Sequence, residues 1–163
     1  NRAMLLLTHL AGMRVGEVAA LTWGDVVNAE GRVKDQIRLN ADQTKGGHPR
    51  IVFLSPKLLK ELEYYARTVK HREVDWAFFA TQKEPKRGFT ANTLAQYFLQ
   101  LYKGAGIDGA SSHSGRRSFA TSLSSKGVGV RVLMRAMGHR NISTTIGYID
   151  ASDDMLRRAV ALV

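Results

Sequence analysis

The 163-residue sequence contains no cysteine. That excludes disulfides, thiolate catalysis and cysteine-ligated zinc, so a nucleophile must be an oxygen or a nitrogen. Long apolar runs are missing too. The longest, residues 4–7 and 159–163, fall far short of the ~20 residues that span a bilayer or the core of a signal peptide, which leads us to expect a cytoplasmic protein with no membrane role. Repeats and low-complexity stretches are absent, proline occurs three times, and the fifteen glycines are scattered between elements rather than gathered into a linker. Acidic residues are the scarcer sign, 14 against 24 Lys and Arg, for a net charge of +10. Such an excess favours a polyanionic partner such as nucleic acid.

What is present suits one globular domain over residues 1–163, since 44% hydrophobic residues can build a core. The chain opens at Asn1 inside an apolar run that already reads as helix, and we expect a fragment without its N-terminal part. Helix is expected over 3–21 with a break near Gly12, Leu6, Leu7 and Leu10 lying on one face and Val15, Val18 and Leu21 in a second short piece. From 32 to 54 the period becomes that of strands. Val33, Ile37 and Leu39 alternate with Lys34, Gln36 and Arg38, and a Gly46-Gly47 turn leads into 50–54. Ser55-Pro56 then starts a helix carrying Leu58, Leu62, Ala66 and Val69. Residues 76–79, with Trp76, Phe78 and Phe79, are expected in the core. Thr90 caps a helix with Leu94, Phe98 and Leu101; shorter helices are expected at 114–125, 130–137 and 143–149. Ser152, Asp153 and Asp154 cap a last one bearing Leu156, Ala159, Val160 and Val163, whose apolar face calls for a partner. The fold class expected is mainly α (α+β), with a small antiparallel sheet of three strands.

Three stretches carry chemistry. The first is Gly12-Met13-Arg14-Val15-Gly16-Glu17 with Leu21-Thr22-Trp23 and Asp25 behind it; the second is Thr44-Lys45-Gly46-Gly47 at a hairpin tip. The third is His113-Ser114-Gly115-Arg116 followed by Gly138-His139 and, nine positions after that histidine, Tyr148. Taken singly these residues have plain readings. Arg14 is a solvated charge, Lys45 a turn lysine, His113 and His139 helix caps, and Tyr148 a packed ring. Taken together, in this order and spacing, they resemble the tyrosine recombinase (phage integrase) family across nearly the whole chain. Gly115 and Arg117 depart from it, standing where many members have leucine and histidine.

The resemblance implies a catalytic domain that cuts and rejoins double-stranded DNA through a 3′-phosphotyrosine, with Arg14, Lys45, His113, Arg116, His139 and Tyr148 catalytic and Glu17 supporting them. It implies no metal and no cofactor, a further N-terminal domain, a tetramer on paired DNA sites, and service to a mobile DNA element. The residue types suit that chemistry. Two arginines offer paired donors to a phosphate, His139 a further hydrogen bond to the same oxygens, and His113 can take the phenol proton or orient the phosphate. Lys45 can protonate the leaving oxygen, and Glu17, one helical turn after Arg14, can hold a cation. The alternatives are DNA relaxation of the type IB topoisomerase kind, a catalytically idle DNA-binding domain and an RNA-binding module. The last lacks an aromatic-rich RNA motif.

Overall fold

In a computed structural model the described residues are 1–70, 72–81, 84, 86–149 and 153–162. Helix α1 (Arg2–Ala11) ends where expected, at Gly12, whose φ of 61° lets its N–H turn back to the Leu7 carbonyl. Two short helices follow, α2 (Val15–Ala19) and α3 (Trp23–Val26). The start of α3 is fixed by a reciprocal cap: Thr22 Oγ1 accepts from Asp25 N at 3.3 Å, and Asp25 Oδ2 accepts from Thr22 N at 2.8 Å.

Strands β1 (Gln36–Leu39) and β2 (Arg50–Phe53) pair antiparallel, with Ile37 opposite Val52. Their alternation is the expected one. Ile37, Leu39 and Val52 are buried, while Ile51 and Phe53 face outward. The sheet has two strands among the described residues, not three. Beyond the sheet the described residues form only isolated antiparallel bridges, among them Val27 with Val33, where the chain leaves α3 at Val27 and turns through Gly31 with no length for a strand.

Helix α4 (Pro56–Thr68) begins at the Ser55 cap and buries Leu58, Leu62 and Ala66. Helix α5 (Ala91–Gly104) begins at Thr90, whose Oγ1 accepts from Thr93 N at 3.1 Å, and buries Leu94 and Phe98. The last four helices are α6 (Ser114–Ser125), α7 (Val130–Met137), α8 (Ile142–Ile146) and α9 (Asp153–Val160). Ser152 and Val163 lie outside the described residues. Leu156 and Val160 on α9 are exposed.

Two apolar clusters result. The main one joins α1–α5, the sheet, Phe78 and Phe79. A small one, Ala120, Leu133 and Met137, sits under α6 and α7, and Phe119, Leu123, Tyr148 and Ile149 pack on it. The C-terminal segment is therefore held by its own small core. What locks that core to the rest is the crossing of α1 with α6 at Gly115, where an added Cβ would lie 2.2 Å from Thr8 Oγ1.

Candidate active site

The close crossing at Gly115 places the next residue, Arg116, at the end of α1. Its side chain is buried, and its guanidinium donates to two backbone carbonyls, Gly12 O and Met137 O, which belong to the ends of α1 and α7. An arginine is thus the strut between two helix C-termini, where unpaired carbonyls and the negative end of each dipole favour a cation. Burial is the main reason its pKa falls to about 9; Arg14 and Arg50 push it the same way, while Glu17 and Tyr148 push it up.

Arg14 stands at the start of α2, and its guanidinium reaches Glu17 Oε1 at 3.1 Å while its own N–H donates to Glu17 Oε2 at 2.7 Å. Glu17 is buried. Burial favours the neutral acid there, but the donors from Arg50 and Arg14 outweigh it and hold the carboxyl below its ordinary value. Arg50 binds Glu17 as well: Nε to Oε1 at 3.1 Å and Nη2 to Oε2 at 2.7 Å.

His139 follows Gly138, whose φ of 62° ends α7. Its ring lies between Arg116 Nη2, 3.1 Å from Nε2, and Thr145 Oγ1, 3.0 Å from Nδ1. A guanidinium can only donate, so Nε2 accepts and the ring proton sits on Nδ1, facing Thr145. Burial first, then Arg116, Arg14 and Arg50, lower its pKa to about 4. The edge expected to donate to a phosphate is, without DNA, an acceptor turned to Arg116. Tyr148 stacks on the same ring, centroids 5.9 Å apart and planes at 23°.

Two adjoining recesses open in front of these groups. One, of about 340 Å³, is lined by Arg14, Lys45, Arg50 and His139 among others; the second, of about 420 Å³, by Arg14, Glu17, Lys45 and His113. Arg14 and Lys45 belong to both. Lys45 is exposed on the loop between β1 and β2, and His113 is exposed at the start of α6. All the expected residues therefore meet in one region, with Arg116 forming the buried back of it. Among the described residues no group of three or more His, Asp or Glu could hold a metal ion. The lining suits an anion.

Two residues of the site escaped the sequence reading. Arg50 shares the inward face of its strand with Val52, and a charged residue at an inward position of an alternating strand is the signal that marks it. Thr145 is fully buried and orients His139; within its short helix nothing in the pattern sets it apart from Thr144.

Comparison with known proteins gives the chain's family. The profile described as the Phage integrase family matches residues 1–155. The chain is 31% identical over 160 residues to the tyrosine recombinase XerA of Pyrococcus horikoshii, covering 98% of this chain and 53% of that protein. It spans about half the length of that relative. The crystal structure of XerA recombinase superposes with a TM-score of 0.76 at 25% identity, over 98% of this chain and 56% of that one. The XerH site-specific recombinase, solved in a post-cleavage complex with a palindromic difH substrate, has the same fold with a TM-score of 0.72 at 22% identity, covering 98% of this chain and 44% of that one.

Proposed function

Given that this chain belongs to the phage integrase family of tyrosine recombinases, we propose that it is the catalytic domain of a site-specific DNA recombinase, spanning residues 1–163. The observation that carries the reading is the meeting of Arg14, Lys45, His113 and His139 around two recesses that share Arg14 and Lys45, with Arg116 buried behind His139 and Tyr148 stacked on its ring. A single phosphodiester is the substrate that uses all of these groups at once.

In the proposed reaction the Tyr148 hydroxyl oxygen attacks phosphorus, the bond from phosphorus to the 5′ oxygen breaks, and a 3′-phosphotyrosine forms. The phenol proton passes to His113. Lys45 gives a proton to the departing 5′ oxygen. Arg14 and Arg116 meet the charge that develops on the non-bridging oxygens, as cations in a partly desolvated site do most effectively. A phosphate entering beside Arg116 supplies negative charge next to His139, which raises its pKa and turns Nε2 from acceptor to donor. The 5′ hydroxyl of a second strand reverses the step, and the phosphotyrosine conserves the bond so that no ATP, metal or cofactor is needed. Double-stranded DNA is the partner, met in the cytoplasm, with four copies of the whole protein on paired sites of a mobile element.

The test is a nicked suicide substrate whose cut end diffuses away. The full-length protein is expected to form a denaturation-resistant adduct with it, and Tyr148→Phe none while still binding the DNA. An adduct formed by Tyr148→Phe would move the nucleophile elsewhere; no adduct from the unaltered protein would refute the enzymatic reading.

A further inference from the structure

Arg50 makes more contacts across the fold than the reaction just described assigns to it. It opens β2, just beyond the loop that carries Lys45, and its side chain is only 9% exposed. The two bonds to Glu17 engage one edge of the guanidinium, Nε with Nη2, and the remaining nitrogen, Nη1, donates to Ala136 O at 2.9 Å in the last turn of α7. These partners lie 33 and 86 residues away. Each Glu17 oxygen therefore takes one bond from Arg14 and one from Arg50. The stem of Arg50 passes directly beneath Gly138, where an added Cβ would lie 2.5 Å from Arg50 Cδ. His139 is the next residue.

We propose that Arg50 is a positioning residue, whose planar fork holds the Arg14–Glu17 pair and the Gly138–His139 turn in one register around the phosphate. The inference rests on the recombinase reading above. Only a guanidinium fits the place. It has three nitrogens in a plane, two for the carboxylate and one for a carbonyl pointing elsewhere, whereas the three donors of an ammonium radiate from one nitrogen and do not span both partners. Arg50 acts through its neighbours. Its carboxylate-facing edge is occupied by Glu17 and its other end by α7, so Arg14 and His139 are left to face the DNA.

The test uses the full-length protein with Arg50→Lys, which keeps a cation beside the buried Glu17. Measured are thermal stability, DNA affinity and the single-turnover cleavage rate at saturating DNA. Cleavage is followed on an ordinary substrate and on one with sulfur in place of the leaving 5′ oxygen, a leaving group that needs no proton. Misplacing reacting groups by about an ångström costs on the order of 10²-fold in rate, and a loss of that size is expected for Arg50→Lys, with DNA affinity unchanged. The sulfur substrate is expected to restore Lys45→Ala but not Arg50→Lys, because the arginine serves the phosphate clamp rather than the proton donor. Glu17→Gln, which loosens the fork from its other side, is expected to show the same split and stands in if the lysine variant does not fold. An unchanged cleavage rate in folded Arg50→Lys would overturn the proposal. So would weakened DNA binding with a normal saturated rate, which would make Arg50 a direct phosphate contact. Rescue of Arg50→Lys by sulfur would reassign it to Lys45. If the unaltered protein forms no adduct through Tyr148, the recombinase reading itself fails, and the positioning role falls with it.

Discussion

Arg116 illustrates how one side chain serves two ends. Because its guanidinium is buried against the Gly12 and Met137 carbonyls, Arg116→Ala removes donors from both and leaves a void. Each orphaned buried carbonyl costs roughly 1–3 kcal/mol. The variant is therefore expected to lower the melting temperature as well as to slow adduct formation by on the order of 10²–10³, as loss of a donor to a transition-state oxyanion does. Arg116→Lys, which keeps the charge and most of the stem, separates the two effects: stability largely returns while the rate does not. A lysine variant with a normal rate would show that charge alone suffices there. His139 makes a second prediction. Its folded pKa of about 4 lies below the 6.5 of an unperturbed histidine, so between those values the unfolded chain binds more protons than the folded one. Stability must then decline as the pH falls from about 6.5 toward 4. Glu17, held below its ordinary pKa, adds a loss in the same direction at the acid end of that window. Melting curves of the unaltered protein and His139→Gln across this range are expected to converge as the pH drops, the variant losing less; parallel curves would refute the depressed histidine.

Among the elements, the α1–α6 crossing decides whether the site exists. Gly115 has no room for a side chain, since its would-be Cβ meets Thr8 Oγ1 at 2.2 Å and His9 Cδ2 at 2.7 Å. The departure from the leucine found at this place in many recombinases thus has a local cause: Thr8 and His9 fill the space. Gly115→Leu is expected to push α6 off α1 and cost about 1–3 kcal/mol, the usual range for overpacking, seen as a lower denaturant midpoint. Because Arg116 is the neighbouring residue, adduct formation should fall with it. A leucine variant as stable as its parent would mean that the helices can separate without cost. The hairpin behaves differently. Gly46 and Gly47 adopt φ of 106° and 68° with open space around them, so substitutions there act through backbone strain alone, and they shift Lys45 without disturbing the core.

For the molecule as a whole, the surplus of 24 basic over 14 acidic residues is expected to meet a DNA backbone mainly through phosphates. Binding of such a domain follows counterion release, with affinity falling by a power of the salt concentration close to the number of phosphates neutralised. A steep linear fall of log affinity with log salt, across sequences alike, is expected for residues 1–163 alone. Flat salt dependence, or tight site-specific binding by this piece, would contradict it. No helix among the described residues is long and apolar enough to cross a membrane. The exposed Leu156 and Val160 of α9 form an apolar face on its outer side.

The sequence alone determined the starts of α4 and α5 and the ends of α1 and α7, because these depend on side chains within a few residues: Ser55 and Thr90 cap their own helices, and Gly12 and Gly138 end theirs. It also supplied the candidate residues of the site, through a resemblance carried by their order and spacing. It could not count the strands, since whether Val33 pairs depends on how sharply the chain leaves α3. Arg50 carries one local sign, its inward place on an alternating strand, but its role is set only when Glu17 and Ala136 are brought to it from 33 and 86 positions away. The state of His139 was likewise a tertiary matter. Whether its Nε2 donates or accepts is set by Arg116, which reaches it from another helix only because Gly115 lets α6 lie against α1.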